Sequence, residues 1–360
     1  MEYSIIPPTY YTNVYYNFIL LVLVLDVIKL LKKPAEFQSK KNYKSIALLI
    51  IVVLYMGLRP ISSVFIDMIA YNYIFNNYAS GAEIDLITDV TWFYFMRVCS
   101  SIMTAKSFFL ICAVLYIFPL YKASKNLLGG NMYILFLMFL ASFSFWSYGV
   151  NGIRNGIASS LFILAISLIK KKYLKYGLFV LAYLIHGSLI IPVAAYLVTL
   201  FYKNTKHFLL VWLLCIPLSL FSGGVFEMFF SSLGFEKDRI GYLTEGNIHN
   251  DTFAYIGFRW DFLIYSTTAI YAGYYFIIKR KFKDIVYIQL FNLYITANAF
   301  WILVINANFS NRFAYLSWFL MALIIFYPFF KMKFFKNQNK VLATTIIGYF
   351  GFTYLMFLIT

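Results

Sequence analysis

The sequence predicts an all-α, polytopic integral membrane protein with about 11–12 transmembrane or re-entrant helices, one membrane domain over residues 1–360 and two longer outer loops. Three observations carry this. Apolar residues make up 62% of the chain and charged residues only 12%, against about a quarter charged in soluble domains, and the mean hydropathy is +0.77. Apolar runs of about 20 residues recur along the whole length, each long enough to cross a hydrocarbon core about 30 Å thick, whereas a barrel would alternate over about 10 residues. The lysines fall in short clusters between these runs, the positive-inside pattern. The net charge of +16 therefore orients the chain in a membrane and does not indicate a nucleic-acid partner.

The first apolar run, Tyr15 to Leu31, has no basic residue before it and no small-residue cleavage site after it, so it reads as a retained span and not a signal peptide. The spans fall at about residues 14–31, 44–58, 105–121, 131–147, 151–169, 173–186, 188–202, 206–222, 259–278, 284–305, 311–330 and 341–359. Lysine-rich joints fix the cytoplasmic side: Lys32, Lys33, Lys40, Lys41 and Lys44; Lys122 and Lys125; Lys170–Lys172 and Lys175; Lys203 and Lys206; Lys279–Lys283; Lys331–Lys340. Between Lys175 and Lys203 an even number of crossings must fit into few residues. That predicts a short hairpin turning at His186–Ser188, each arm about 21 Å long at 1.5 Å per residue; the alternative is one long tilted helix. Short broken segments are tolerated where they line a cavity buried in protein.

Two joints fall outside the cytoplasm. Residues 59–104 hold Asp67, Glu83, Asp85, Asp89 and Arg97, and include "VFIDMIAYNYIFNNY", which reads as an interfacial helix. Residues 222–258 hold Glu227, Glu236, Lys237, Asp238, Arg239, Glu245 and Asp251. Cys99, Cys112 and Cys215 are too few and too apolar in setting for a disulfide framework. The three histidines lack zinc spacing and there is no Asp-x-Asp pair, so no metal or cofactor is expected.

Lysine and arginine are sorted to opposite sides. Lys106 and Lys237 apart, lysines fill the cytoplasmic joints; Arg59, Arg97, Arg154, Arg239, Arg259 and Arg312 lie on the outer side, with Arg280 inside. Both cations obey the positive-inside preference, so topology alone does not sort them. A guanidinium binds carboxylate or phosphate through two parallel hydrogen bonds, which ammonium cannot do. Arg154, Arg259 and Arg312 each fall in the first turn of a helix entering from outside, where free N–H groups and a cation together make an anion site; three such ends facing one cavity would suit a diphosphate. Gly152 and Gly156 allow close approach of a neighbouring helix or of a ligand. The competing explanation is that these arginines snorkel to phospholipid headgroups, and it weighs most for Arg59 and Arg97. His186 is either a structural hydrogen-bonder or, at the hairpin turn, a proton acceptor or phosphate ligand. Asp67 either belongs to the polar face of the interfacial helix, sharing it with Tyr71, or pairs with Arg59 eight residues earlier.

These residues resemble the EpsG/Wzy family of polysaccharide polymerases. The resemblance rests on Gly57-Leu58-Arg59 followed by Asp67 and Tyr71 to Phe75; on Asn151 to Arg154 followed by Gly156, Ile157 and Ala158; on His186 with Ser188; and on Asn311-Arg312-Phe313. Phe65, Gly152, Asn155 and Gly187 depart from the usual pattern. The resemblance implies a bacterial inner-membrane glycosyltransferase acting at the periplasmic face, which would make the loops at 59–104 and 222–258 periplasmic. Its substrates would be undecaprenyl-diphosphate-linked oligosaccharide donor and acceptor, joined into O-antigen or a related surface polysaccharide. It further implies diphosphate binding by Arg154 and Arg312, with Arg59 and Arg259 behind them, a base in His186 or Asp67, no metal, contact with membrane lipids, and a possible chain-length regulator as protein partner. The rivals are a lipid-linked oligosaccharide flippase or transporter, which should show two-fold internal repetition or charges at mid-span, and an O-antigen ligase.

Overall fold

The computed structural model describes residues 6–32, 43–83, 89–222, 224–232, 257–307 and 310–359, and every regular element among them is helical. Among the described residues six helices are long and apolar enough to cross a membrane: Pro8–Lys32, Ala105–Leu140, Thr205–Ser222, Ile285–Leu303, Asn311–Lys331 and Gln338–Ile359. Three shorter apolar helices, Tyr43–Gly57, Ile153–Ser167 and Gly187–Phe201, accompany them. The chain is a multi-pass helical membrane protein. Several expected features lie outside the described residues: Lys33, Lys40 and Lys41, Asp85, and the charges of the 222–258 loop from Glu236 to Asp251.

The helices form two compact units, one of residues 1–186 with 329–360 and one of residues 187–328. The first contains α1 (Tyr11–Lys32), α2 (Tyr43–Gly57), α3 (Ile66–Ala79), α4 (Val90–Ser100), α5 (Ala105–Leu128), α6 (Met132–Leu140), α7 (Phe145–Asn151), α8 (Ile153–Ser167) and α9 (Lys172–Ile185). Its centre is α5, with α2 on one side and α8 on another, and α9 packs on α8. Thr104 starts α5 by accepting a hydrogen bond from the Ser107 N–H at 3.3 Å, and Gly129, at φ 56°, ends it. A Cβ at Gly57 would stand 2.9 Å from the Leu110 Cα, so only glycine lets α2 approach α5 this closely.

The second unit contains α10 (Ile190–Phe201), α11 (Thr205–Ser222), α12 (Val225–Ser232), α13 (Trp260–Tyr274), α14 (Ile285–Leu303) and α15 (Asn311–Trp318), together with most of α16 (Met321–Lys331). Its centre is α14, started by Asp284, whose carboxylate accepts from the Tyr287 N–H at 2.9 Å. Several polar groups buried here are joined to one another. Trp212 donates to Asn298 at 2.8 Å, Asn298 to Ser317 at 3.0 Å, and Trp318 to Ser266 at 2.7 Å, as a site without water demands. The last helix, α17 (Gln338–Ile359), packs on α1 in the first unit.

The span expected at 131–147 is not continuous. α6 ends at Leu140, a bend occupies 141–144, and α7 follows. The bend is held by Ser142, whose hydroxyl donates to the Phe139 carbonyl at 2.8 Å. Carbonyls at the break take hydrogen bonds from tyrosines of neighbouring helices: Tyr15 reaches Leu140 at 2.6 Å and Tyr116 reaches Phe145 at 2.9 Å. A broken helix survives in an apolar setting because side chains satisfy its freed backbone. Within 59–104 the expected helix is present as α3, burying Met68, Tyr71 and Phe75. A second helix there, α4, was not anticipated; it buries Trp92, Met96 and Cys99. The chain also breaks at His186, which is extended between α9 and the turn Gly187–Leu189.

A buried carboxylate sits inside the first apolar span. Asp26 of α1, 6% exposed, accepts from Lys44 of α2 at 3.2 Å and from the Tyr133 hydroxyl of α6. A carboxylate in that position is tolerated because both oxygens are engaged.

Candidate active site

The first turn of α8 is built by close packing. A Cβ at Gly156 would fall 2.8 Å from the Tyr148 carbonyl and 3.1 Å from the Tyr116 ring, so this glycine serves contact with α7 and α5 and not with a ligand. Asn155 donates to the Tyr148 hydroxyl at 3.4 Å and accepts from Ser159 at 3.1 Å. These neighbours fix α8, and Arg154, its second residue, meets α3 and α4.

There Arg154 forms an ion pair with Asp89, with side-chain exposures of 23% and 15%. Its guanidinium carbon lies 5.9 Å from the Tyr71 ring centre and 5.7 Å from that of Phe93. The Tyr71 hydroxyl and the Asp67 carboxylate both lie within the electrostatic reach of the guanidinium. Burial raises the pKa of the Tyr71 phenol, with Arg154 opposing, so the phenol stays neutral. The Tyr71 ring is held edge-on by Trp92 at 5.4 Å.

Arg59 lies beyond the end of α2 and is 3% exposed. One terminal nitrogen donates to the Met56 carbonyl at 2.6 Å; Nε and Nη2 have no hydrogen-bond partner among the described residues. Phe65 and Phe109 rings stand 5.3 and 5.9 Å away. Burial lowers its pKa to about 10, opposed by Cys112 and Asp67, and the group remains cationic at neutral pH. Orphaned guanidinium donors in a buried site are uncommon and mark a place where an acceptor is needed.

Arg59, Asp67 and Arg154 thus come together in the first unit. His186 belongs to the same unit and is 1% exposed. Arg259 and Arg312 belong to the second. Arg259 precedes α13, and its fork is taken by Asp261 through two bonds of 2.9 and 2.6 Å, with the Phe262 ring 3.5 Å from the guanidinium carbon. Arg312 is exposed in the first turn of α15. The sequence reading did not single out Asp89 or assign Tyr71 a role. Asp89 carries a legible signal, an acid directly before a helix, but its partner is 65 residues away. Among the described residues no group of three His, Cys, Asp or Glu side chains is placed to hold a metal ion.

The fold and this cluster define a helical membrane protein carrying a buried, arginine-centred polar site beside two carboxylates. Residues 42–360 match the EpsG family, and the chain belongs to that family. No curated protein and no solved structure matches it.

Proposed function

We propose that the chain is a polysaccharide polymerase of the inner membrane. It joins undecaprenyl-diphosphate-linked oligosaccharide repeats at the periplasmic face into O-antigen or a related polymer. Membership of the EpsG family supports the polymerase class. The observation that carries the chemistry is Arg154, set at the start of α8 with a carboxylate already seated on it. A site that attracts one anion in the absence of substrate is suited to another.

In the proposed step the acceptor hydroxyl oxygen attacks the anomeric carbon of the donor. The bond from that carbon to the diphosphate oxygen breaks, and the lipid diphosphate leaves with the electron pair. Charge grows on the departing diphosphate, so cations in place beforehand stabilise the transition state. Within the first unit Arg154 takes that role, with Arg59 second to it. The hydroxyl proton passes to a base. Asp67, half-exposed and within the field of Arg154, is better placed for this than His186, which is enclosed. No step here requires a metal.

Surface polysaccharide from a deletion strain tests the reading on a gel. The polymerase reading expects lipid A-core bearing one repeat and no ladder. Core without any repeat would point instead to a flippase or a ligase.

A further inference from the structure

The joint between α16 and α17 borders a hollow of about 470 Å³. Its lining is Lys333, Lys336, Asn337, Gln338, Asn339 and Lys340, three ammonium groups and three amides with no acid among them. All six residues belong to the first unit. No acid is near in sequence either, since no Asp or Glu follows Asp284. Two other lysines of this unit have an acceptor: Lys44 is held by Asp26, and Lys331 donates to the Leu127 carbonyl at 2.8 Å. The ammonium groups of Lys333, Lys336 and Lys340 make no hydrogen bond or ion pair among the described residues. The wall that carries them is braced. The Gln338 amide accepts from the Phe334 N–H at 2.7 Å and donates to the Phe329 and Met332 carbonyls at 2.7 and 3.1 Å. Phe335 stacks on Phe329 with ring centres 5.9 Å apart. Like charges gathered around one hollow repel one another, and an anion seated there removes that cost.

We propose that this hollow is a binding site for a phospholipid headgroup carrying two phosphates, of the cardiolipin class. The helices that meet here, Asn311–Lys331 and Gln338–Ile359, are each long and apolar enough to cross a membrane. Residues 332–337 between them therefore lie where hydrocarbon gives way to headgroups. Further along α17, Ile347, Leu355 and Leu358 are 57–63% exposed, an apolar face suited to acyl chains. A free anion would gain only the charge at this place; a lipid gains both contacts. A basic pocket beside a spanning helix suits such a headgroup, and each lysine near the surface adds to the attraction, so two phosphates answer three ammonium groups better than one. Lysine also fits the task, because point charges on flexible stems draw phosphates without demanding one fork geometry. The site shares no residue with the Arg154 cluster and does not depend on polymerase activity.

The test uses the full chain in neutral detergent, with native mass spectrometry reading the binding of tetramyristoyl cardiolipin and dimyristoyl phosphatidylglycerol, and inorganic pyrophosphate as a competitor. Wild type is expected to bind cardiolipin roughly tenfold more tightly than phosphatidylglycerol. The triple variant Lys333→Gln, Lys336→Gln, Lys340→Gln is expected to bind cardiolipin roughly 100-fold more weakly. A control, Lys170→Gln, Lys171→Gln, Lys172→Gln, removes the same charge from another exposed joint of the same unit and should lose no more than about threefold. Equal losses in the two triple variants would overturn the proposal, leaving only diffuse attraction to positive charge. Phosphatidylglycerol bound by wild type as tightly as cardiolipin would overturn it too, with no variant needed. Pyrophosphate that displaces cardiolipin at equal concentration would mark a free-anion site and overturn the lipid assignment.

Discussion

Asp26 and Asp89, both in the first unit, each meet a cation with a tyrosine beside it, yet the two groups are built for different ends. Asp26 sits within α1, in ordinary helical backbone, and accepts from Lys44 on one oxygen and Tyr133 on the other. It ties α1, α2 and α6 together. Asp89 stands before a helix in left-handed backbone, its cap bond unmade, facing an arginine. Lysine is a point charge and serves to neutralise; a guanidinium is a planar fork and serves to recognise carboxylate or phosphate. The contrast separates a fastener from a site. It also gives the sorting of lysine and arginine along the chain a physical meaning at two particular places.

The comparison can be broken most forcefully at Arg154. Arg154→Ala is expected to reduce polymer formation about 100–1000-fold, the loss typical when one transition-state donor is removed, with membrane abundance unchanged. Arg154→Lys should recover little of it, because charge without the fork is insufficient; gel ladders at matched protein level measure both. Asp26→Ala should act in the other direction, on stability alone. It leaves Lys44 and Tyr133 without their acceptor and is expected to cost about 2 kcal/mol, since the Lys44 side chain is 36% exposed and rehydrates in part. Thermal unfolding in detergent should report the loss while chain length stays normal. The smallest effect is expected at Tyr71→Phe, which keeps the ring against Trp92 and near the Arg154 guanidinium and removes only the hydroxyl. Loss of one polar group beside the guanidinium should lower turnover by no more than roughly tenfold, read from the rate of repeat consumption.

Helix content, membrane class and family were legible in the sequence, because span length, lysine placement and the Arg59, Asp67, Arg154 and Arg312 motifs are all local signals. The first turn of α8 was legible as well. The breaks were harder. The bend at 141–144 lies in an apolar run with no proline, and is sustained by Tyr15 and Tyr116, which lie on other helices. The Asp26 group escaped notice because a single acid does not interrupt a hydropathy window, and its partners are 18 and 107 residues away. Asp89 escaped because its position announces a helix cap, the one bond it does not make. Gly156 left a helix contact and a ligand contact equally open, and the Tyr148 carbonyl decides for the helix.

The central claim is that Arg154 acts on a departing lipid diphosphate. Its most direct measurement is the release of undecaprenyl diphosphate from a labelled lipid-linked repeat, by the protein reconstituted in vesicles. The account predicts one carrier released for each linkage formed by wild type, and almost none by Arg154→Ala at equal protein. Sugar linkages formed without carrier release, or equal release by the two proteins, would contradict it.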